Sequence, residues 1–382
     1  MITRFIEKEI VSALWREKTI IMYGPRQVGK TTLLKKIFAS SSKKSLFFDA
    51  ESLKTRQYWQ QENVEKIVVD FAGYDLIGLD EAQKIPNIGS ILKYLHDHLP
   101  SSVQIIATGS SAFDLAQKTR ESMAGRVREF FLTPFTIGEL VASSDRFSID
   151  TQLESFLQYG MYPVVMDNWQ ASFGRREEAL DTLAGSLLYK DILEIENIRK
   201  SNIINDLLKL VALQAWSEVS YRELATKLGV SVATVQKYLH LLEESFIIFT
   251  LHGFSRNLRN EITKSPKIYF YDVGIRNTLI QNWNAPELRT DIGDLWENYI
   301  IAERIKMKKT QKIYGQSYFW RTHDQKEIDY IEEYDGIIHA YEIKWNPKKS
   351  ASAPKVFMEA YPNHTFAKIT RENWMDFLMT QQ

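Results

Sequence analysis

The residues whose types and spacing can carry chemistry begin at Gly24. The run Gly24, Pro25, Arg26, Gln27, Val28, Gly29, Lys30, Thr31, Thr32 fills every fixed position of G-x-x-x-x-G-K-[ST]. Glycines let such a loop turn tightly, so that backbone N–H groups and a helix N-terminus meet an anion. Lys30 is placed to reach β- and γ-phosphates and Thr31 to ligate Mg²⁺, which makes ATP and Mg²⁺ the expected cofactors. A second constellation closes the apolar stretch Leu76–Leu79 with Asp80 and Glu81. Asp80 would hold the Mg²⁺ and Glu81 would polarise an attacking water. Acidic pairs at strand ends are common, but one that follows a complete P-loop is the Walker B pattern. Thr108-Gly109-Ser110 ends a later apolar stretch. Ser110 or Thr108 can take the sensor position beside the γ-phosphate, although small hydroxyl residues are also ordinary turn formers. Arg126, and after it Arg128, are candidates to reach a neighbouring subunit's γ-phosphate; the plainer alternative is a surface arginine.

These residues need a parallel sheet beneath them. Strands are expected at Lys18–Tyr23, Ser45–Asp49, Leu76–Asp80, Val103–Thr108 and Arg128–Leu132, and helices at Arg4–Arg16, Thr32–Phe38, Leu53–Val69 and Ile88–Leu99. Alternating strands and helices, with the loop at a strand's C-terminal end, give an α/β P-loop NTPase core with a parallel sheet. Helical patterns follow at Gln152–Tyr159 and Arg175–Glu194, separated by the turn Tyr159-Gly160-Met161-Tyr162-Pro163, and read as a lid without chemistry of its own.

Further on, Tyr221–Leu228 and Val232–Glu244 are two amphipathic helices joined at Gly229-Val230-Ser231, which is helix-turn-helix spacing. Thr234, Gln236 and Lys237 lie on the outer face of the second helix, where a major-groove reader presents its side chains. Phe246–Leu251 and Lys267–Tyr271 read as paired strands, and Arg256, Arg259, Lys264 and Lys267 suit a basic wing near phosphates. A winged helix of this kind binds DNA or serves as a protein-binding module.

The last constellation lies in the tail. Glu297 begins a helix, Asp329 sits on a strand, and Glu342 and Lys344 lie two apart on another, hence on one face. This is the order of the PD-(D/E)xK nucleases, in which Glu297, Asp329 and Glu342 would hold Mg²⁺ and Lys344 would stand beside the attacking water. Taken alone, a Glu-x-Lys is more often a solvated strand face. Arg321 and His323 are weaker candidates for phosphate contact.

The 382 residues imply two to three domains, and 44% hydrophobic residues suffice for their cores. Basic and acidic side chains balance at 48 each, so nucleic-acid binding must rest on a local patch. The absence of cysteine excludes disulfides and thiolate metal sites and suits a reducing cytoplasm. Residues 1–18 mix Glu and Lys with apolar residues, unlike a signal peptide, and no apolar run is long enough to span a bilayer. A cytoplasmic protein without a membrane partner is expected.

Taken together, GPRQVGKTTLL, LDEAQKIP, ATGSSAF, SMAGRVREFFLTPFTIGEL, YGMYP, SPKIYFYDVGIRN, LWENYIIAE, WRTHDQKEIDYI and YEIKW, in this order, resemble the prokaryotic AAA+-like ATPases with a C-terminal restriction-endonuclease-like domain of unknown function. The resemblance implies an ATPase core over 1–138, a helical lid over 139–200, a winged helix over 201–285 and a PD-(D/E)xK-like domain over 286–382. It also implies an arginine of the Gly125-Arg126 step acting between subunits, with a hexamer as the family-like assembly, and a role in processing DNA, branched or broken rather than sequence-specific. Two rival readings are an ATP-gated, Mg²⁺-dependent DNA nuclease and an ATP-dependent signalling switch that binds a protein through its winged helix. Two departures stand out: Gly78 interrupts the Walker B strand, and Ile275-Arg276 replaces residues that are usually apolar.

Overall fold

The computed structural model describes residues 2–16, 19–60, 64–110, 123–167, 174–186, 201–214, 218–255, 265–322 and 324–379. They divide into two compact units, the first centred on Met1–Pro134, the second on Phe135–Gly185, Arg199–Glu243 and Ile247–Gln382.

The first unit carries β1 (Thr19–Tyr23), β2 (Ser45–Asp49), β3 (Leu76–Asp80), β4 (Gln104–Gly109) and β5 (Val127–Phe131), with α1 (Phe5–Ala13), α2 (Lys30–Ser40), α3 (Leu53–Trp59), α4 (Val64–Phe71) and α5 (Ile88–His98). The sheet order is β2-β3-β4-β1-β5, and every pairing is parallel. β1, β3 and β4 are buried along their whole length, which is why they read as unbroken apolar runs, whereas the edge strand β2 is largely half-buried or exposed. Chain order departs from spatial order at β1, the switch point where open α/β sheets open a crevice for ligands beyond their C-terminal strand ends. Gly78 has a packing reason: a Cβ there would meet the Phe38 ring of α2 at 2.5 Å, so the glycine lets that ring lie against β3.

The second unit begins with α6 (Ile137–Ser143), α7 (Arg146–Asp150), α8 (Leu153–Tyr159), α9 (Pro163–Asp167), α10 (Arg175–Ser186) and α11 (Ser201–Gln214). The helix pair α12 (Tyr221–Leu228) and α13 (Val232–Glu244) follows. Gly229 ends α12 in the left-handed region at φ 63°, and the Ser231 hydroxyl accepts from Thr234 N at 3.1 Å to start α13. Then come β6 (Ile248–Gly253), β7 (Lys267–Phe270), α14 (Val273–Leu279), α15 (Ile292–Gln311), β8 (Ser317–Arg321), β9 (Glu327–Tyr334), β10 (Ile337–Ile343), α16 (Lys355–Ala360), β11 (His364–Ile369) and α17 (Trp374–Met379).

β6 and β7 pair antiparallel, as their sequences lead one to expect, but they do not form a separate wing. β6 also pairs parallel with β8 through His252↔Tyr318 and Gly253↔Phe319, giving one six-stranded sheet of order β11-β10-β9-β8-β6-β7. The expected boundary at 285/286 therefore divides a continuous sheet. Two further sequence marks are packing devices. Asp272 caps α14 by accepting from Gly274 N and Ile275 N and also accepts from Met161 N at 2.7 Å. A Cβ on Gly160, whose φ is +69°, would strike the Asp272 carboxylate at 1.9 Å, so YGMYP and YDVG fit together only with glycine. Arg276 is 1% exposed and donates to Ala212 O at 3.0 Å and to Asp291 at 2.7 Å, which compensates its burial.

Candidate functional site

The expected P-loop, Walker B and sensor residues lie at or directly after the C-terminal ends of β1, β3 and β4. Gly29 holds φ 96° at the head of α2, the left-handed turn a glycine permits. Gly24 is pressed against the chain after β5, where a Cβ would meet Leu132 O at 2.0 Å. Pro25, Arg26, Gln27 and Val28 form the body of the loop, and Val28 is fully buried beneath it. Lys30 is only 4% exposed and donates to Gly24 O at 2.8 Å and Pro25 O at 2.7 Å, so its ammonium lies within the curl of the loop. Thr32 continues α2 one residue beyond the motif.

The P-loop and Walker B residues meet directly. Thr31 Oγ1 donates to Asp80 Oδ2 at 2.6 Å. Thr108 Oγ1 donates to the other carboxylate oxygen of Asp80 and accepts from Glu81 N at 3.2 Å. Glu81 leaves β3 at φ 52°, a left-handed conformation that costs a non-glycine residue energy and clusters at functional sites. Its side chain is held by Gln83, whose Nε2 donates to Glu81 Oε2 at 2.6 Å and to Ser110 Oγ at 2.8 Å. Thr108 and Ser110 thus take different tasks: the first braces Asp80, the second is linked to Glu81 through Gln83. The spacing of the motifs did not single out Gln83; its only sequence signal is its place two residues after the acidic pair. The donor set suits a Mg-nucleotide: a buried ammonium, a loop of amides, and a hydroxyl and a carboxylate oxygen side by side.

Arg126 lies elsewhere. It precedes β5, whose register with β1 runs from Thr19↔Val127 to Tyr23↔Phe131. Arg126 is therefore at the N-terminal edge of the sheet, roughly 15 Å of strand from the loop after Tyr23. Its Nε donates to Asp97 at 3.0 Å, which holds the Asp97 carboxyl below the usual range. Arg128 packs its guanidinium over the Phe130 ring.

In the second unit, Gln236 and Lys237 are exposed on α13, and Thr234 is half-buried with its hydroxyl against Ser231. Arg256, Arg259, Lys264 and His323 lie outside the described residues. The tail residues do come together, but around lysines. Lys344 Nζ lies 3.1 Å from Asp329 and 2.6 Å from Glu342, and Ile343 N donates to Asp329 at 2.7 Å. Glu297 is bound by Lys267 at 3.1 Å and by the Tyr269 hydroxyl at 2.7 Å. Lys267 also pairs with Glu327, which the sequence reading passed over, and Arg321 approaches the same carboxylate at 3.4 Å. Lys267 is thus 1% exposed inside an ion cluster instead of on a basic wing. Burial, reinforced by Asp329 and opposed by Lys267, pushes Glu297 up to about 7. Burial and then Asp329 raise Glu342 as well, while Asp329 and Glu342 outweigh burial to raise Lys344. Among the described residues no group of three or more His, Cys, Asp or Glu stands where it could hold a metal ion. Of the expected Mg²⁺ set, Asp329 and Glu342 share the Lys344 ammonium and Glu297 is paired with Lys267. Among the described residues no helix is long and apolar enough to cross a membrane.

Comparison with known proteins divides the chain in three, the second break falling at 286–292, next to the expected boundary at 285/286. Residues 16–141 match the AAA domain family, 150–286 a domain of unknown function (DUF8612) and 292–374 a domain of unknown function (DUF4143). An uncharacterized protein of Mycobacterium tuberculosis is 27% identical over 346 residues, covering 89% of this chain and 73% of that one. One of Methanocaldococcus jannaschii is 24% identical over 349 residues, covering 79% and 71%. Among solved structures, a Walker-type ATPase of Pyrococcus abyssi aligns with a TM-score of 0.52 at 15% identity, over 73% of this chain and 96% of its own, a likeness of fold. The N-terminal unit is an AAA-like P-loop domain.

Proposed function

We propose that this protein binds and hydrolyses ATP in its first unit and engages DNA, branched or broken, through its second. The observation that carries the reading is the contact of Thr31 with Asp80 beside buried Lys30, with Glu81 held in place by Gln83. Bound there, Mg-ATP would supply the phosphoanhydride and its charge neutralisation. The loop amides and Lys30 would hold the phosphates, Thr31 and Asp80 the Mg²⁺, and Glu81 would take the proton of an oriented water. In this reading Arg126 of a neighbouring copy supplies a further cation to the γ-phosphate, in a ring of which a hexamer is the favoured form.

DNA engagement is supported by the helix pair α12–α13 and by the exposed Gln236 and Lys237 on its second member. The test is ATP turnover with and without linear, nicked and branched DNA, alongside DNA affinity over a salt series. Turnover that rises with DNA supports the reading, as does an affinity whose log–log salt slope shrinks by about 0.9 in Lys237→Ala. Turnover indifferent to every DNA form, with no salt-dependent binding, removes the DNA half and favours a protein-binding switch.

A second reading, a Mg²⁺-dependent nuclease, is favoured by the direct contact of Asp329, Glu342 and Lys344 with Glu297 close by. Their oxygens are of the kind Mg²⁺ takes, but the lysine pairing would have to open first. Mg²⁺-dependent cleavage of DNA that is lost in Lys344→Ala supports it; equal products from both proteins remove it.

A further inference from the structure

A cavity of about 510 Å³ opens in the second unit where α15 ends against β6 and the start of β8. That volume lies in the range of small-molecule sites. Lys308, Lys309 and Lys312 line it, with Phe249, Tyr271 and Tyr314, and no acidic side chain is among its lining residues. Lysines near a helix C-terminus commonly do no more than complement the helix dipole. Three further observations go beyond that role.

First, Lys308 is 6% exposed at the wall of the cavity, with Nζ 3.1 Å from Ser317 Oγ and 3.4 Å from Glu332. Glu332 is fully buried and already takes a two-pronged pair from Arg304 at 2.9 and 2.8 Å. One carboxylate thus faces two cations at this wall. Second, the Lys309 ammonium bonds the Tyr271 hydroxyl and lies 4.9 Å from the centre of that ring, which aims it at the cavity wall instead of along the helix axis. Third, Tyr314, on the loop that follows Lys312, is 88% exposed. An aromatic face held out at the mouth of a cationic cavity is the pairing that takes a base by stacking and its phosphate by charge.

We propose that this cavity binds a nucleoside phosphate, with the phosphate on Lys309 and Lys312, the base on Tyr314, and Lys308 lining the wall. The ligand is either a free nucleotide or a nucleotide of a single strand. The inference does not rest on the P-loop reading or on α13 as the DNA contact.

The test uses the full chain and two probes: thymidine monophosphate, which lacks the β-phosphate a P-loop grips, and a short single-stranded oligothymidylate. Binding is measured for the wild type, for K309E/K312E and for Tyr314→Ala, with circular dichroism and the thermal midpoint of each variant as the check on folding. The expected result is a loss of about tenfold or more for the charge reversal and of several-fold for Tyr314→Ala, with the fold unchanged. Tighter binding of the oligonucleotide per nucleotide assigns the strand; equal competition by the monophosphate assigns the free nucleotide. Binding of both probes at wild-type strength by both variants overturns the proposal. So does a loss confined to K309E/K312E, which would mark a plain polyanion surface.

Discussion

The Thr31 hydroxyl lies 2.6 Å from the Asp80 carboxylate, joining the head of α2 to the end of β3 across 49 residues of sequence. The contact exists because β4 lies between β1 and β3 and contributes Thr108, which braces the other oxygen of Asp80. The P-loop is therefore half of a site, and the sheet order completes it.

Gln83 is a positioning residue in this arrangement, because it bridges Glu81 and Ser110. Gln83→Ala should lower kcat for ATP by about 10- to 100-fold with little change in KM, since the base loses its orientation while the phosphate cradle stays intact. A rise in KM at constant kcat would show instead that Gln83 serves nucleotide binding.

Arg126 stands at the sheet edge opposite its own loop, so any catalytic part it plays must be on another copy. Arg126→Ala should cost ~10³-fold in turnover, and mixing it with Lys30→Ala should restore part of the activity, because each supplies what the other lacks. Wild-type turnover by Arg126→Ala would leave it a surface arginine paired with Asp97.

Glu303 gives a pH prediction within the second unit. It is buried, accepts from Ile137 N and pairs with Lys306, with Asp272 nearby; burial, against Lys306, pushes it from 4.5 up to about 7. Its folded value lies above its unfolded one, so its contribution to stability is fully present below pH 4.5 and is lost as pH rises through about 7. Denaturant midpoints taken across that window should fall for the wild type and fall less for Glu303→Gln, which keeps an acceptor for Ile137 N. Parallel slopes for the two proteins would contradict the assignment.

Much of this was legible in the chain, for physical reasons. The loop, the acidic pair and the hydroxyls at the end of β4 are local patterns on strands buried on both faces, and such strands announce themselves as apolar runs. Gly78 and Arg276 looked like departures because their reasons are distant: the Phe38 ring, and Asp291 with Ala212 O. The pairing of β6 with β8 carries no local signal, so the sequence did not show that one sheet joins strands on either side of 285/286, where the family matches also part. In the tail, Glu342 and Lys344 were found from their spacing, but Lys267 and Glu327 joined the cluster through long-range folding alone. Lys267 links Glu327 to Glu297, one of the expected acids.

The central claim is most directly tested by Mg²⁺-dependent ATP hydrolysis of the purified full chain beside Lys30→Ala, with circular dichroism to show that both are folded. The account predicts turnover by the wild type and a loss of about 100-fold or more in Lys30→Ala, because the buried ammonium is the loop's own charge on the phosphates. Turnover retained by a folded Lys30→Ala would contradict it.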